Sequence, residues 1–231
     1  MSENQLPGLD EPIGIFPLPN VVLFPGATLP LHVFEPRYRK MIGDALSGEA
    51  IIAMALLRPG YEALYYTNYA KIHPVVGVGQ IQEHIQVADG RYFARLQGIC
   101  RARILQEYDG EYRRALLEPM PQADSGIDTD GEFAARQSFS QVLNTSVFDD
   151  IEKIDLFRKL ISKGASLFEI VDKVAFTLLP ADSIETQQCI LEELNVLERA
   201  KLLLKELRSL QQTLSLIKRT RETWPHTGST N

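Results

Sequence analysis

Prolines alternate with short apolar runs between residues 16 and 39, and this pattern constrains the fold more than any other part of the chain. Because proline has no N–H to donate, these runs do not fit the middle of a sheet. They predict strands at sheet edges or strand starts, then a helix beginning at Pro36, where the missing N–H costs nothing. The segment opens Phe16-Pro17-Leu18-Pro19-Asn20-Val21-Val22-Leu23-Phe24-Pro25-Gly26 and closes Leu29-Pro30-Leu31-His32-Val33-Phe34-Glu35-Pro36-Arg37-Tyr38-Arg39.

The remainder of residues 13–119 reads as β-rich around that single helix. The continuous apolar run from Ile51 to Leu57 is typical of a strand buried on both faces. Two Asp-Gly dipeptides, at 89–90 and 109–110, separate alternating runs and predict an antiparallel meander. The predicted strands are Ile13–Leu18, Val21–Phe24, Leu29–Phe34, Ile51–Leu57, Val75–Ile81, Ile85–Val87, Tyr92–Leu96, Gly98–Leu105 and Tyr112–Glu118.

The second half of the chain has a different composition and predicts a separate helical part. Regular apolar spacing gives way to Pro, Asp, Ser and Gly in residues 120–131, which predicts a linker. The predicted organisation is a disordered leader at 1–12, a β-rich lobe at 13–119, that linker, a helical lobe at 132–219 and a flexible tail at 220–231.

Capping signals mark two helix starts in the helical lobe, at Ser166 and Asp182. The second signal opens one long predicted helix from Ser183 to Lys218. This helix carries a heptad seam, which packs either within the chain or against a second copy. The seam consists of Ala200, Leu203, Leu207, Leu210, Leu214 and Ile217.

Composition and motifs narrow the function classes. The net charge of −6 argues against nucleic-acid binding. We expect no membrane span, because there is no run of about 18 apolar residues. The start of the chain does not read as a secretory signal, so we expect the protein to lie in the cytoplasm. The two cysteines and four histidines lack metal-ligand spacing. No phosphate-cradling P-loop motif is present. We therefore expect no metal and no cofactor.

The residues around Pro36 resemble a known family. Leu-Pro-Leu-His-x-Phe-Glu-Pro-Arg-Tyr-Arg at 29–39 is similar to the N-terminal, substrate-recognition domain of the ATP-dependent protease Lon, and in particular to its stand-alone bacterial members. Two strand motifs, at 76–81 and 98–104, resemble the same family. The resemblance implies an α+β fold: an N-terminal PUA-like β-barrel lobe with one helix, followed by a C-terminal helical bundle ending in a long helix. It also implies no ATPase or protease activity, because those parts of Lon are not in this sequence.

Candidate binding residues fall in two groups. The junction before and within the predicted helix supplies Phe34, Glu35, Arg37 and Tyr38. There, Glu35 is placed to accept helix N-terminal N–H groups and Tyr38 is expected to enter the core. Arg101 and Arg103 lie two residues apart and therefore on one face of a strand. They predict either a small positive patch or pairs with nearby glutamates on a solvated sheet face.

The leading functional hypothesis is non-catalytic recognition of unfolded or substrate polypeptides, through apolar grooves and exposed strand edges. A separate protease is a possible partner, and a homo-oligomer through the C-terminal helix is another. Two alternatives stay open: an RNA-binding PUA-like module, with Arg101 and Arg103 as its first contacts, and a small ligand in a cleft between the lobes.

Overall fold

The chain folds into two compact units. The structure is a computed structural model that describes residues 9–121 and 129–223, with side chains described through residue 220. Among these residues the first unit comprises 9–121 and 172–194, and the second comprises 129–171 and 195–223. The chain therefore returns to the first unit after entering the second. The predicted organisation, with one linker between two lobes, does not include this return.

The first unit is built on one six-stranded mixed sheet. Its order is β2-β5-β4-β3-β1-β6, and β6 also pairs with the C-terminal half of β5. The pair β1–β3 is parallel and the other pairs are antiparallel. The elements are β1 (Ile13–Leu18), β2 (Thr28–Val33), α1 (Pro36–Leu46), β3 (Ile51–Leu56), β4 (Val75–Gln86), β5 (Tyr92–Tyr108) and β6 (Arg114–Pro119).

The predicted α+β class is confirmed, but the strands do not all close into one barrel: β5, β4, β3, β1 and β6 pair in a ring, and β2 lies outside it. In a closed barrel every strand has a neighbour on both sides. Among the described strands, β2 pairs with β5 alone. The edge position predicted for the run around Pro30 is therefore confirmed. The buried strand is confirmed as well, since all six residues of β3 are buried, as is the antiparallel meander of β4, β5 and β6.

The predicted strand Val21–Phe24 does not form. Its residues 22–24 are buried but pair with no strand. They cross the sheet where β4 and β5 carry glycine: a Cβ at Gly77 would lie 1.9 Å from the Leu23 carbonyl oxygen, and a Cβ at Gly98 would lie 2.0 Å from that of Phe24. Because Gly98 admits this crossing without breaking the strand, Tyr92–Leu96 and Gly98–Leu105 form one strand, β5, rather than two.

Five further helices follow the sheet, and α4 contributes residues to both units. The predicted helix Ser183–Lys218 is wrong, because it is divided into α5 and α6. Asn195 starts α6 by accepting the N–H groups of Leu197 and Glu198 at 2.9 and 3.3 Å, as an N-cap does. The helices are α2 (Thr129–Leu143), α3 (Ile154–Ser162), α4 (Leu167–Leu178), α5 (Ile184–Glu192) and α6 (Val196–Thr223). None of the described helices is both long and apolar enough to cross a membrane.

Most of the predicted leader, linker and tail lies outside the described residues. Within the described part three details differ from the prediction. Leu9 is buried, α2 already begins at Thr129, and α6 continues to Thr223. In the second unit the heptad seam is buried at Ala200, Leu203 and Leu207, so its first half packs within the chain.

Candidate functional site

Among the described residues no strand pairs with the outer side of β2, which is called the free edge below. Backbone polar groups alternate in direction along a strand, and the pairs of an antiparallel ladder alternate between hydrogen-bonded and non-hydrogen-bonded. The Gly98 N–H donates to the Ala27 carbonyl at 2.8 Å, so Ala27 faces β5 and every second residue after it does the same. The backbone groups of Thr28, Pro30 and His32 therefore point outward. The position of Pro30 agrees, because proline has no N–H to give to β5.

Large apolar and aromatic side chains form a continuous row on the exposed face of the sheet, next to this edge. Ile85 of β4 pairs with Phe93 of β5, and Phe93 pairs with His32 of β2. The His32 and Phe93 rings are stacked at 4.6 Å with an interplanar angle of 4°, and the Phe34 ring lies 5.7 Å from His32. Ile85, Phe93 and Phe34 are 66%, 47% and 58% exposed. Together with His32, these three residues are called the apolar row below.

Two ion pairs lie beside the apolar row. Arg95 forms an ion pair with Glu83 in the neighbouring cross-strand position. Arg91 binds Asp89 at 2.7 Å in the turn between β4 and β5. Here the Arg91 guanidinium, by hydrogen bonding, lowers the pKa of the Asp89 carboxyl. The row is thus an apolar surface bordered by neutralised charges.

The predicted junction residues Glu35 and Arg37 are tied to each other and to a loop. The Arg37 Nε donates to Glu35 Oε2 at 3.0 Å, and its Nη atoms donate to the carbonyls of Thr67 and Tyr65 at 2.9 and 3.1 Å. The Glu35 side chain does not cap α1, which corrects the expected role: its backbone carbonyl accepts the first helical bonds instead, from Tyr38 and residue 39. These contacts hold the chain in place directly after Phe34.

Tyr38 enters the core, as expected. It is 3% exposed and its ring lies 4.3 Å from that of Phe16. Burial raises the pKa of its hydroxyl to about 12. Tyr38 therefore positions α1 behind the strands and is out of reach of a ligand.

Arg101 and Arg103 do not form a shared positive patch. Arg101 and Asp172 are both 2% exposed and form an ion pair at 3.2 Å. The Arg101 Nη1 also donates to the carbonyls of Leu191 and Glu193, both at 3.1 Å, where α5 ends. Burial lowers the pKa of Arg101 to about 10, so it stays charged at neutral pH. Arg103 is exposed.

Sequence reasoning named Phe34 but missed the other members of the apolar row. The available signal was an apolar residue on the polar face of each strand, Ile85 four residues before Asp89 and Phe93 three residues after Gly90. The turn closes with the Val87 N–H donating to the Arg91 carbonyl at 3.0 Å, and this register brings the two side chains opposite each other. Among the described residues no group of three His, Cys, Asp or Glu side chains is arranged to hold a metal ion.

The fold has a helix crossing between the parallel strands β1 and β3, and a mixed sheet followed by helices. The family model "ATP-dependent protease La (LON) substrate-binding domain" matches residues 13–209. The chain belongs to this family.

Solved structures and curated relatives agree with the assignment. The fold is similar to the N-terminal domain of Mycobacterium avium complex Lon protease, with a TM-score of 0.67, 15% identity, and 86% of this chain and 98% of that chain covered. It is also similar to a Lon N-terminal domain protein from Xanthomonas campestris, with a TM-score of 0.59, 21% identity, and 84% and 98% covered.

Among curated proteins, Lon protease 2 of Syntrophobacter fumaroxidans is 32% identical over 123 residues, covering 50% of this chain and 14% of the relative. Lon protease of Anaeromyxobacter dehalogenans is 26% identical over 208 residues, covering 87% of this chain and 24% of the relative. The chain thus spans about a quarter or less of the length of these Lon proteases.

Proposed function

We propose that this chain binds extended segments of substrate polypeptides without catalysing a reaction on them. The observation that carries the proposal is that a free strand edge and an exposed apolar row meet at His32. A segment that adds to β2 gains main-chain hydrogen bonds and places alternate side chains next to the row. Membership in the substrate-binding family supports the same function.

The two parts of the site supply different kinds of binding energy. Main-chain hydrogen bonds at a strand edge make little demand on sequence. Each large apolar side chain that becomes fully buried contributes roughly 1.5–3 kcal/mol. A segment with one or two such side chains therefore binds weakly but with broad tolerance, which suits recognition of unfolded chains.

The residues predicted from the sequence take different parts in this proposal. Phe34 contacts the bound segment, and Glu35 and Arg37 fix the chain that follows it. Tyr38 and Arg101 act from the interior. Arg103 is exposed on the same strand as Phe93 but outside the row, and it stays a separate candidate contact.

The proposal also covers the fold type of the β-rich unit, a partner protease, the cellular compartment and the oligomeric state. The β-rich unit is PUA-like, which is supported by the long strand β5 pairing with β2, β4 and β6. A separate protease receives the captured chain, and the compartment is the cytoplasm, both in keeping with the Lon family. A homo-oligomer through α6 is supported by Leu216 and Ile217, which are 64% and 44% exposed.

The test is a fluorescence-anisotropy titration of labelled, permanently unfolded polypeptides with the purified chain in the absence of ATP. The unmodified chain is expected to bind several unrelated unfolded chains. The double variant Phe34→Ser/Phe93→Thr is expected to bind at least tenfold more weakly, because it removes two large apolar contacts. Leu156→Ser is the matched control, since Leu156 is equally exposed but lies on α3 in the other unit.

Three results would contradict the proposal. Binding that Phe34→Ser/Phe93→Thr leaves unchanged would move the site away from the apolar row. Preference for single-stranded RNA over polypeptide, with affinity falling steeply as salt is added, would favour the RNA-binding alternative. Absence of binding to any unfolded chain would leave the small-ligand alternative.

A further inference from the structure

Pro30 lies at the centre of the free edge and removes one of its three outward N–H donors. The edge presents N–H and C=O at Thr28, only C=O at Pro30, and N–H and C=O again at His32. Prolines are one of the devices by which proteins prevent edge strands from pairing with one another. We propose that Pro30 is a specificity residue that makes the β2 edge accept a foreign extended segment in preference to β2 of a second copy. The proposal rests on the function proposed above.

Pairing between two copies meets Pro30 twice. When two β2 edges pair antiparallel with the greatest overlap, Thr28 of each faces His32 of the other and Pro30 faces Pro30. Neither proline donates, so the central pair loses both of its hydrogen bonds. The two pyrrolidine rings also occupy the positions where donors and acceptors would meet. Registers that avoid this contact shorten the overlap of a strand that has only six residues.

A foreign segment meets Pro30 only once. Its residue opposite Pro30 still donates its N–H to the Pro30 carbonyl, and its residues opposite Thr28 and His32 form complete pairs. The side chain opposite His32 then lies on the same face as His32 and extends the apolar row by one position. The preferred substrate is therefore an extended segment with an aromatic or aliphatic residue opposite His32 and no proline opposite Thr28 or His32.

The first test is Pro30→Val, which restores the missing N–H with a residue that favours strands. Sedimentation velocity is expected to show that the variant forms larger assemblies than the unmodified chain does at the same concentration. The variant is also expected to bind unfolded polypeptide roughly three- to tenfold more tightly, through one added hydrogen bond. Pro36→Val is the control, because Pro36 is exposed at the start of α1, outside the edge.

The second test needs no substitution in the protein. Two synthetic peptides are titrated against the unmodified chain: the sequence of residues 28–34, and the same peptide with valine at its proline. The valine peptide is expected to bind at least threefold more tightly. This comparison stays valid if Pro30→Val fails to fold.

The outcomes separate this inference from the proposed function. A Pro30→Val variant that associates no further than the unmodified chain and binds polypeptide with unchanged affinity, or equal binding of the two peptides, would overturn the role of Pro30. Neither result would contradict polypeptide binding by the unmodified chain. A chain that binds no unfolded polypeptide, but whose Pro30→Val variant pairs through β2, would support the role of Pro30 at the edge and overturn the proposed function.

Discussion

Replacing Arg101 by methionine tests whether this buried arginine, named from the sequence as a binding residue, is instead part of the framework. The substitution keeps an unbranched side chain of similar length but removes the charge. It breaks the ion pair between Arg101 and the buried Asp172 carboxylate, and it removes the donor to the carbonyls of Leu191 and Glu193. Breaking a buried ion pair on one side costs about 3–5 kcal/mol. Since domains of this size have stabilities of roughly 5–15 kcal/mol, this is a large fraction of the total.

Urea unfolding followed by far-UV circular dichroism measures the loss, and hydrogen exchange in α5 locates it. Arg103→Met is the matched control, because Arg103 lies two residues along β5 but is exposed. It is expected to change the free energy of unfolding by less than about 0.5 kcal/mol. A loss below about 1 kcal/mol for Arg101→Met would refute the reasoning.

Two other predictions follow from packing and burial. Gly77→Ala is expected to lower the free energy of unfolding in urea by more than about 3 kcal/mol, because the added Cβ would meet a backbone carbonyl. Gly48→Ala is the control and is expected to be close to neutral, since the nearest atom to its Cβ would be 3.9 Å away. Equal effects of the two substitutions would contradict the crossing at Gly77. Cys189, which is exposed, is expected to react with Ellman's reagent at pH 8 much faster than Cys100, whose pKa burial raises to about 11; equal rates would contradict this burial.

The remaining prediction concerns a carboxyl group and its hydrogen bond. The hydroxyl of Tyr112 donates to Asp44 at 2.7 Å, and this bond, with Lys40, lowers the pKa of Asp44. A lowered carboxyl pKa gives stability that is present above the unfolded-state value and is lost as the pH falls through the folded-state value. Tyr112→Phe is therefore expected to raise the pKa of Asp44 in an NMR titration and to lower stability at neutral pH more than at pH 2. An unchanged pKa would contradict the role of this hydrogen bond.

Local signals in the sequence predicted elements well where they depend on neighbours along the chain. The turn at Asp89-Gly90 and the start of α1 at Pro36 were both predicted correctly. Asn195 was a signal of the same kind, since Glu198 follows it at the spacing of a capping box, but the prediction extended one helix through it, from the cap at Asp182 to the end of the seam. Reading this second cap as a boundary would have divided α5 from α6.

Contacts distant in sequence explain what could not be predicted. The glutamates near Arg101 along the chain indicated a solvated sheet face, whereas its buried partner Asp172 is 71 residues away. The apolar row likewise needs His32 beside Phe93, a pairing of strands separated by α1, β3 and β4. Nothing in the spacing of single segments specifies which strand lies beside β2. Phe34 was found because it adjoins a recognisable motif, whereas the rest of the row depends on the order of strands in the sheet.

Residue-resolved hydrogen exchange at β2 tests the central claim most directly. The amides of Thr28 and His32 point outward, whereas those of Leu31 and Val33 already face β5 and serve as internal references. If a polypeptide segment adds to this edge, saturation with an unfolded chain is predicted to slow exchange at Thr28 and His32 while the reference amides change little. Saturated binding that leaves the exchange of Thr28 and His32 unchanged would contradict strand addition at β2.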